Sequence, residues 1–260
     1  MLEILTIILQ SPEDFRGGSI WNVITTINGG LQAVGLALLV LFFAMTIFKT
    51  ASNVSELKRP ESAVKMFIRF AISKMAISHG MELLVSIFTI SQSVLGTIAR
   101  SLNDLSDMQA ALPAEVATGI TEAGFFESIP LWMITLLGSI FIIVLTFMML
   151  LVIYGRFFRL YMMTAIAPIP LSTFAGEGTS HFGKSFLKSY IGVCLESVIV
   201  MVACIIFAAY SSAAPEPPHP GYTSAAIMTW DYIIELIFSL LVLLGTIKIS
   251  ERLTKELLGL

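Results

Sequence analysis

The chain has 260 residues, of which 56% are hydrophobic and only 13% are charged, and its formal net charge is −3. A soluble domain averages about 25% charged residues, so this composition, with a mean hydropathy of +0.88, excludes an ordinary soluble protein. It predicts an all-α integral membrane protein, and the small net charge identifies no partner.

Residues 1–28 are predicted to form an amphipathic external segment. The run SPED at 11–14 is typical of a helix start, with a capping side chain, a proline in the first turn and acidic residues at the positive end of the helix dipole. Helical spacing of apolar residues then favours a helix lying in the membrane interface; these are Ile20, Val23, Ile24, Ile27 and Leu31. The alternative, left open here, is that this segment extends the first span.

The remainder, residues 29–260, is predicted to be a single polytopic membrane domain. The hydrocarbon core of a bilayer is about 30 Å thick and takes about 20 residues of helix. Five segments meet this length, at about 29–48, 70–99, 130–155, 189–210 and 225–247. Segment 160–183 is apolar but is broken by Pro168 and Pro170, which predicts a re-entrant or interfacial segment with a structural break at the prolines.

The distribution of basic residues predicts the orientation, because positive flanks stay in the cytoplasm. With the N-terminus outside, the cytoplasmic loop 49–69, the flanks of the later spans and the C-terminal tail hold twelve Lys and Arg residues. The external parts, which include loop 100–129, hold only Arg16 and Arg100. This predicts five spans, an external N-terminus and a cytoplasmic C-terminus. Arg156, Arg159, Lys184 and Lys188 would then form a cytoplasmic basic contact surface.

The second predicted span carries a polar face. At 100° per residue its polar and small residues fall within an arc of about 140°; they are Lys74, Ser78, Glu82, Ser86, Thr89, Gln92, Ser93, Gly96 and Thr97. A charge at the centre of a membrane helix costs about 2.5 to 3.5 kcal/mol, so this face should meet protein or water. It would either line an aqueous path or pack within a bundle or between subunits, and the sequence leaves both readings open.

Glu196 is the acidic residue of the fourth predicted span, on a short stripe with Ser185, Ser189 and Gly192. It is a plausible partner for Lys74 if the two helices adjoin, which is a hypothesis about packing. The same intramembrane residues Lys74, Glu82 and Glu196 suggest an alternative function, a small secondary transporter or ion channel.

The segment GTSHFGKS, residues 178–185, satisfies the G-x-x-x-x-G-K-[ST] pattern of phosphate-binding loops. The two prolines before it argue against the strand that such a loop must follow. A cytoplasmic turn is the better interpretation, with Lys184 and Lys188 anchoring the next span. The three histidines match no metal-ligand spacing, and Cys194 and Cys204 are ten residues apart on one predicted helix. We therefore expect no metal, cofactor, disulfide or catalytic residue.

The same region resembles a family. The run YGRFFRLYMMTAIAPIPLSTFAGEGTSHFGKSFLKSYIGVCLESVIVMVACIIFAAY resembles the TrbL-like polytopic membrane subunit of type IV secretion and conjugation systems, a VirB-type subunit. The features that carry the resemblance lie within 130–210: basic residues after a long span, an Ala-Pro break and the Phe-Leu-Lys run at 186–188. The short external segment 100–129 is more like versions from Gram-positive bacteria.

The resemblance implies a non-enzymatic platform or channel subunit in the bacterial cytoplasmic membrane. Its implied partners are further copies of itself, other secretion subunits including a separate ATPase, and lipid. Transient contact with transported DNA or protein is a further expectation.

Overall fold

The structure is a computed structural model that describes residues 10–13, 15–51, 60–100, 118, 121, 124–212 and 225–259. All regular structure in these residues is helical. The helices are α1 (Ser19–Ala51), α2 (Pro60–Ser78), α3 (Gly80–Arg100), α4 (Phe125–Ile166), α5 (Pro168–Ser172), α6 (Ser180–Ser212) and α7 (Ala225–Leu258), with 3-10 turns at Phe15–Gly18 and Thr173–Ala175. Most of the predicted external loop and part of the first cytoplasmic loop lie outside the described residues.

Five helices in the described part of the chain are long and apolar enough to cross a membrane: Ser19–Ala51, Gly80–Arg100, Ser128–Ile166, Ser180–Phe207 and Ala226–Leu258. Each exceeds the roughly 20 residues that a bilayer core requires. The prediction of an all-α membrane protein with about five spanning helices is therefore confirmed.

The first helix begins earlier than the predicted first span. Gly17 and Gly18 have positive φ angles of 73° and 74°, a conformation that L-residues with side chains rarely adopt. This left-handed pair turns the chain immediately before Ser19, and α1 then runs unbroken to Ala51. Residues 19–28 thus belong to the helix of the first span, and no separate interfacial helix is present among them.

The predicted second span is divided at His79. Two i to i−4 bonds continue across the turn, from His79 N–H to the carbonyl of Met75 (2.9 Å) and from Leu83 N–H to that of His79 (3.0 Å). Only Gly80–Arg100 is apolar enough to span, because α2 carries several charged residues. Lys74 and Ser78 therefore precede the span, and Glu82 lies in its first turn.

The proline-containing segment is shorter than predicted. Helix α4 continues through Arg156 and Arg159 to Ile166, so residues 160–166 are the end of that helix. Pro168 has no N–H and begins the five-residue helix α5. A 3-10 turn and a bend lead to α6, which starts at Ser180, nine residues before the predicted span. The segment is thus a compact helical break, and its re-entrant or interfacial position in the membrane stays a prediction.

The chain forms two compact units. The first comprises residues 1–95, 155–198 and 251–260. Its core contains large side chains with at most 2% exposure from α1, α2, α3, α4, α5 and α6; these include Leu39, Ile77, Leu84, Phe157, Tyr161, Leu171 and Tyr190. Helix α5 packs against both α1 and α2, so the proline break is a structural centre of this unit.

The second unit comprises residues 96–154 and 199–250. Its buried side chains come from α4, α6 and α7, and include Met149, Met201, Leu243 and Ile247. Gly138 permits close approach of α4 and α7, since a Cβ there would lie 2.6 Å from Cγ2 of Ile233. Many apolar side chains point outward in this unit, Phe147 at 60% exposure among them, as a lipid-facing bundle requires.

A contact in the first unit bears on the predicted orientation. The hydroxyl of Tyr161 donates a 2.8 Å hydrogen bond to the carbonyl of Pro12, and the rings of Trp21 and Tyr161 are 6.4 Å apart. Tyr161 follows Arg159 by two residues, yet the prediction places Arg159 in the cytoplasm and residues 1–28 outside. The bond thus joins two segments that the prediction places on opposite faces of the membrane, and the orientation stays a prediction.

Candidate functional site

The polar face of the second predicted span points away from the protein's own core. Lys74 and Ser78 on α2, and Glu82, Ser86, Thr89 and Ser93 on α3, are exposed. The opposite side of α3 is buried through Leu84, Phe88, Ser91 and Leu95. Helix α3 thus docks into its own chain with an apolar face and leaves the polar one available.

Three hydroxyl groups of this polar face are satisfied within the helix. Ser86 donates to the carbonyl of Glu82 (2.7 Å), Thr89 to that of Val85 (2.9 Å) and Ser93 to that of Thr89 (2.9 Å). This i−4 bonding lowers the cost of an apolar environment for a hydroxyl. Glu82 instead faces His79, with 3.1 Å between Oε2 and Nδ1, and its side chain is 80% exposed.

Gln92 differs from the rest of the polar face because it is half-buried and turned toward the chain. Its Nε2 donates to the carbonyl of Gln10 at 3.4 Å. It also lines a cavity of about 160 Å³ together with Trp21, Phe88 and Tyr190. Gln92 therefore helps to hold the N-terminal segment.

Glu196 is buried in an ion network, but its partner is not Lys74. Arg159 Nη1 lies 3.4 Å from Glu196 Oε2, and Arg159 Nη2 lies 3.0 Å from Glu251 Oε2. Lys255 Nζ is 2.9 Å from Glu251 Oε1. The hypothesis of a Lys74–Glu196 pair is wrong: Lys74 is exposed on α2, and the carboxylate is taken by a basic residue of α4.

Arg156 is the most deeply buried basic residue of the predicted contact surface. It is 5% exposed, and its guanidinium carbon lies 4.9 Å from the centre of the Phe157 ring. Its Nη2 is buried and has no hydrogen-bond partner among the described residues. Glu196 is the carboxylate that acts on it most strongly through space. Arg156 thus belongs to the interior of the first unit and is not available as a surface contact.

A side chain from α1 donates a hydrogen bond to the backbone at the proline break. Pro168 has no N–H to offer the carbonyl of Thr164, four residues earlier, so this carbonyl loses its usual helical donor. Asn28, which is 3% exposed, donates from Nδ2 to that carbonyl at 2.7 Å. Pro168 itself is buried and Pro170 is half-buried. Asn28 therefore completes the hydrogen bonding at the end of α4.

The GTSHFGKS segment has the wrong local structure for a phosphate-binding loop. A phosphate-binding loop follows a strand and leads into a helix near its lysine. Here the preceding residues are helical, and α6 begins at Ser180, so Gly183, Lys184 and Ser185 lie inside the helix. A Cβ on Gly183 would lie 3.0 Å from the carbonyl oxygen of Pro170. This glycine serves close packing against the proline break.

The remaining basic residues of the predicted contact surface are at the surface. Lys184 is exposed, and Lys188, also exposed, donates from Nζ to the carbonyl of Leu258 at 3.4 Å. Lysine near a helix C-terminus is favourable because it meets the negative end of the dipole. Lys188 thus fastens the end of α7 to α6.

Comparison with known protein families gives a match. A sequence model of the family described as TrbL/VirB6 plasmid conjugal transfer like protein matches residues 1–168, about two thirds of the chain. The chain belongs to this family. The TrbL/VirB6 match confirms the resemblance that the sequence suggested, and it shows a membrane subunit of type IV secretion or conjugation that acts with other subunits.

The matched region differs from the one on which the resemblance was based. The family match ends at residue 168 and includes all of α1 to α4, whereas the resemblance was placed at 130–210. Pro168 is the last matched residue. No curated protein matches this chain, and no solved structure matches it either.

Several residues of the site were missed by sequence reasoning. Glu251 was missed because only the basic residues of the C-terminal tail were considered. Its i, i+4 spacing to Lys255 is typical of a helical ion pair. Asn28 stands next to two glycines in an apolar stretch, and an amide in such a setting indicates a buried hydrogen bond. Tyr190, whose hydroxyl donates to the carbonyl of Leu84 at 3.2 Å, had no distinguishing signal.

Proposed function

We propose that this TrbL/VirB6 family member is a non-enzymatic platform or channel subunit of a conjugative type IV secretion apparatus, and that it forms homo-oligomers in the bacterial cytoplasmic membrane. The polar face of α2 and α3 meets a second copy or an aqueous path for the transported DNA or protein. A separate ATPase supplies the energy and contacts the exposed basic residues, among them Lys184 and Lys188. Surrounding lipid covers the outward apolar side chains.

One observation carries the placement of the polar face. Helix α3 buries Leu84, Phe88 and Leu95 in its own chain and leaves Glu82, Ser86 and Thr89 exposed. A helix with lipid on its outer side would present apolar side chains there, as α4 does with Ile143 and Phe147. A polar outer face therefore supports contact with protein or water.

The arrangement of charges gives little support to the alternative, a small transporter or channel built on Lys74, Glu82 and Glu196. Such a site requires these groups to converge on one cavity near the middle of the membrane. Glu196 is buried beside Arg159, whereas Lys74 and Glu82 are exposed and lie before and at the start of the α3 span. The three residues therefore do not form a common site in this structure.

The proposed role predicts the consequence of losing the gene. Deletion should abolish DNA transfer while leaving growth unchanged, and a plasmid copy should restore transfer, because the subunit serves secretion only. Conjugation frequency and growth rate measure this directly. Intact transfer in the deletion strain would refute the proposed function.

Cysteine labelling tests what covers the polar face of α3. In a chain whose Cys194 and Cys204 are replaced by serine, single cysteines at Ser86, Thr89 and Ser93 should react with a membrane-impermeant maleimide or form disulfide-linked dimers. Water produces the first result and a neighbouring copy the second. Labelling and cross-linking are read by mass shift on gels.

The control is Ile143→Cys on α4, where the native side chain is apolar and 66% exposed. It should neither label nor cross-link, because it faces lipid. If the three polar positions behave as Ile143 does, the polar face also meets lipid and the proposed placement fails. Cysteines at Ser11 and Lys188 report the membrane face, and the packing of Tyr161 on Pro12 predicts that both label from the same side.

A further inference from the structure

The buried charge network in the first unit contains one poorly satisfied acceptor and one unsatisfied donor. Glu196, whose side chain is 6% exposed, receives a single long contact of 3.4 Å from Arg159. Arg159 is held more tightly by Glu251, at 3.0 Å. Meanwhile Nη2 of Arg156 is buried without a partner among the described residues. Each such group carries the full cost of leaving water.

The two arginines are neighbours on one face of α4. Residues three apart on a helix project to the same side, so Arg156 and Arg159 both approach α6. Glu196 acts electrostatically on each of them. A carboxylate in a low-dielectric interior binds most strongly the guanidinium that offers it well-aligned N–H groups. Glu196 is thus in contact with Arg159 at 3.4 Å and is influenced through space by Arg156.

We propose that Glu196 exchanges between Arg159 and Arg156, so that the network has two arrangements of comparable free energy. In the arrangement seen here Arg159 bridges Glu196 and Glu251, which joins α4, α6 and α7. In the other, Arg156 bonds Glu196 and Arg159 keeps only Glu251. The buried carboxylate stays paired in both arrangements.

The exchange gives the end of α7 a way to separate. Arg159 is 37% exposed and links the buried Glu196 to Glu251 at the surface. If Arg159 were the sole partner of Glu196, a movement of α7 that took Arg159 with it would leave the buried Glu196 carboxylate unpaired. When Arg156 pairs with Glu196 instead, residues 251–258 and Arg159 can move together, and the charge of the buried carboxylate remains neutralised. The network therefore acts as a releasable latch between α7 and α6.

A double-mutant cycle on the full chain, purified in detergent, tests this latch. Arg159→Gln alone should lower the thermal midpoint only slightly, because Arg156 takes over Glu196. Arg156→Gln alone should also have a small effect, because Arg159 remains. The double variant should lose stability well beyond the sum, with a coupling of about tenfold in the unfolding equilibrium, because no guanidinium is left for Glu196. Arg252→Gln, in the exposed pair with Glu256 at 2.9 Å, is the matched control and should show no coupling.

Cys194 supplies a second readout in membranes. It is fully buried and is influenced electrostatically by Arg156. With Cys204 replaced by serine, Cys194 should react slowly with a permeant maleimide in both single variants and rapidly in the double variant. A double variant that fails to fold while both singles fold supports the exchange. If Arg159→Gln alone is as damaging as the double variant, or if the effects are additive, Arg156 does not replace Arg159 and the proposal is refuted. These measurements do not depend on DNA transfer, so they stand apart from the proposed function.

Discussion

Replacing Gly35 by alanine should destabilise the protein, although the same change at Gly30 in the same helix should not. Gly35 is where α1 crosses the proline break, and a Cβ there would lie 2.7 Å from the carbonyl oxygen of Pro168 and 3.0 Å from its Cβ. The obstructing atoms belong to a buried backbone and a rigid ring, so neither can rotate away. Overpacking of this kind typically costs about 1 to 3 kcal/mol.

The control at Gly30 separates the steric cost of the added Cβ from the effect of alanine on helix propensity. A Cβ at Gly30 meets no atom within 4 Å, and alanine is favoured over glycine in a helix by about 0.5 to 1 kcal/mol. The two substitutions should therefore shift the thermal midpoint of the detergent-purified protein in opposite directions. A larger side chain, Gly35→Val, should also abolish DNA transfer. Equal shifts at the two positions would show that α1 is not tightly packed on Pro168.

The spanning helices were predictable because they depend on composition over long windows. Runs of about 20 apolar residues identify a membrane helix whatever its neighbours are, and the break at Pro168 follows from the covalent structure of proline. Their ends were less predictable. The start of α1 at Ser19 is set by the left-handed pair Gly17 and Gly18, a signal that helix periodicity alone does not contain.

The partner of Glu196 could not be read from the sequence, since it depends on which helices adjoin. The basic residues at 156 and 159 were fully explained by the positive-inside rule, so nothing in the pattern indicated that Arg156 would be buried and Arg159 would join an ion network. Lys74 was chosen because it was the only basic residue predicted to lie within a span. The structure shows that a charge at the end of a long helix can serve tertiary packing as well as orientation.

The predicted orientation is also limited by the absence of tertiary contacts from the sequence pattern. Counting basic residues treats each loop as independent, whereas the bond from Tyr161 to Pro12 joins two segments assigned to opposite faces. Glu196 of α6 and Glu251 of α7, which both contact Arg159, belong to the same unit. Tertiary contacts of this kind constrain the membrane face of several segments together, which no count of charges does.

Replacing Asn28 by leucine should destabilise the break between α4 and α5. Leucine is close in size but removes the donor, so the carbonyl of Thr164 is left buried and unsatisfied, at a cost of about 1 to 3 kcal/mol. The thermal midpoint and the yield of folded protein measure the loss. Asn22→Leu in the same helix is the matched control, because the side chain of Asn22 is exposed and its replacement leaves no buried acceptor unpaired.

The cause can be separated from a general packing defect by restoring the missing donor. Pro168→Ala supplies an N–H at the position from which a regular helix would bond the carbonyl of Thr164. In the Asn28→Leu background this second change should therefore recover stability, although alone it should be neutral or harmful because proline at the first helical position is favourable. Simple addition of the two losses would mean that the Asn28 amide does not replace the proline's missing hydrogen bond. Recovery would show that the hydrogen bond from Asn28 on α1 to Thr164 on α4 is needed because Pro168 lacks an N–H.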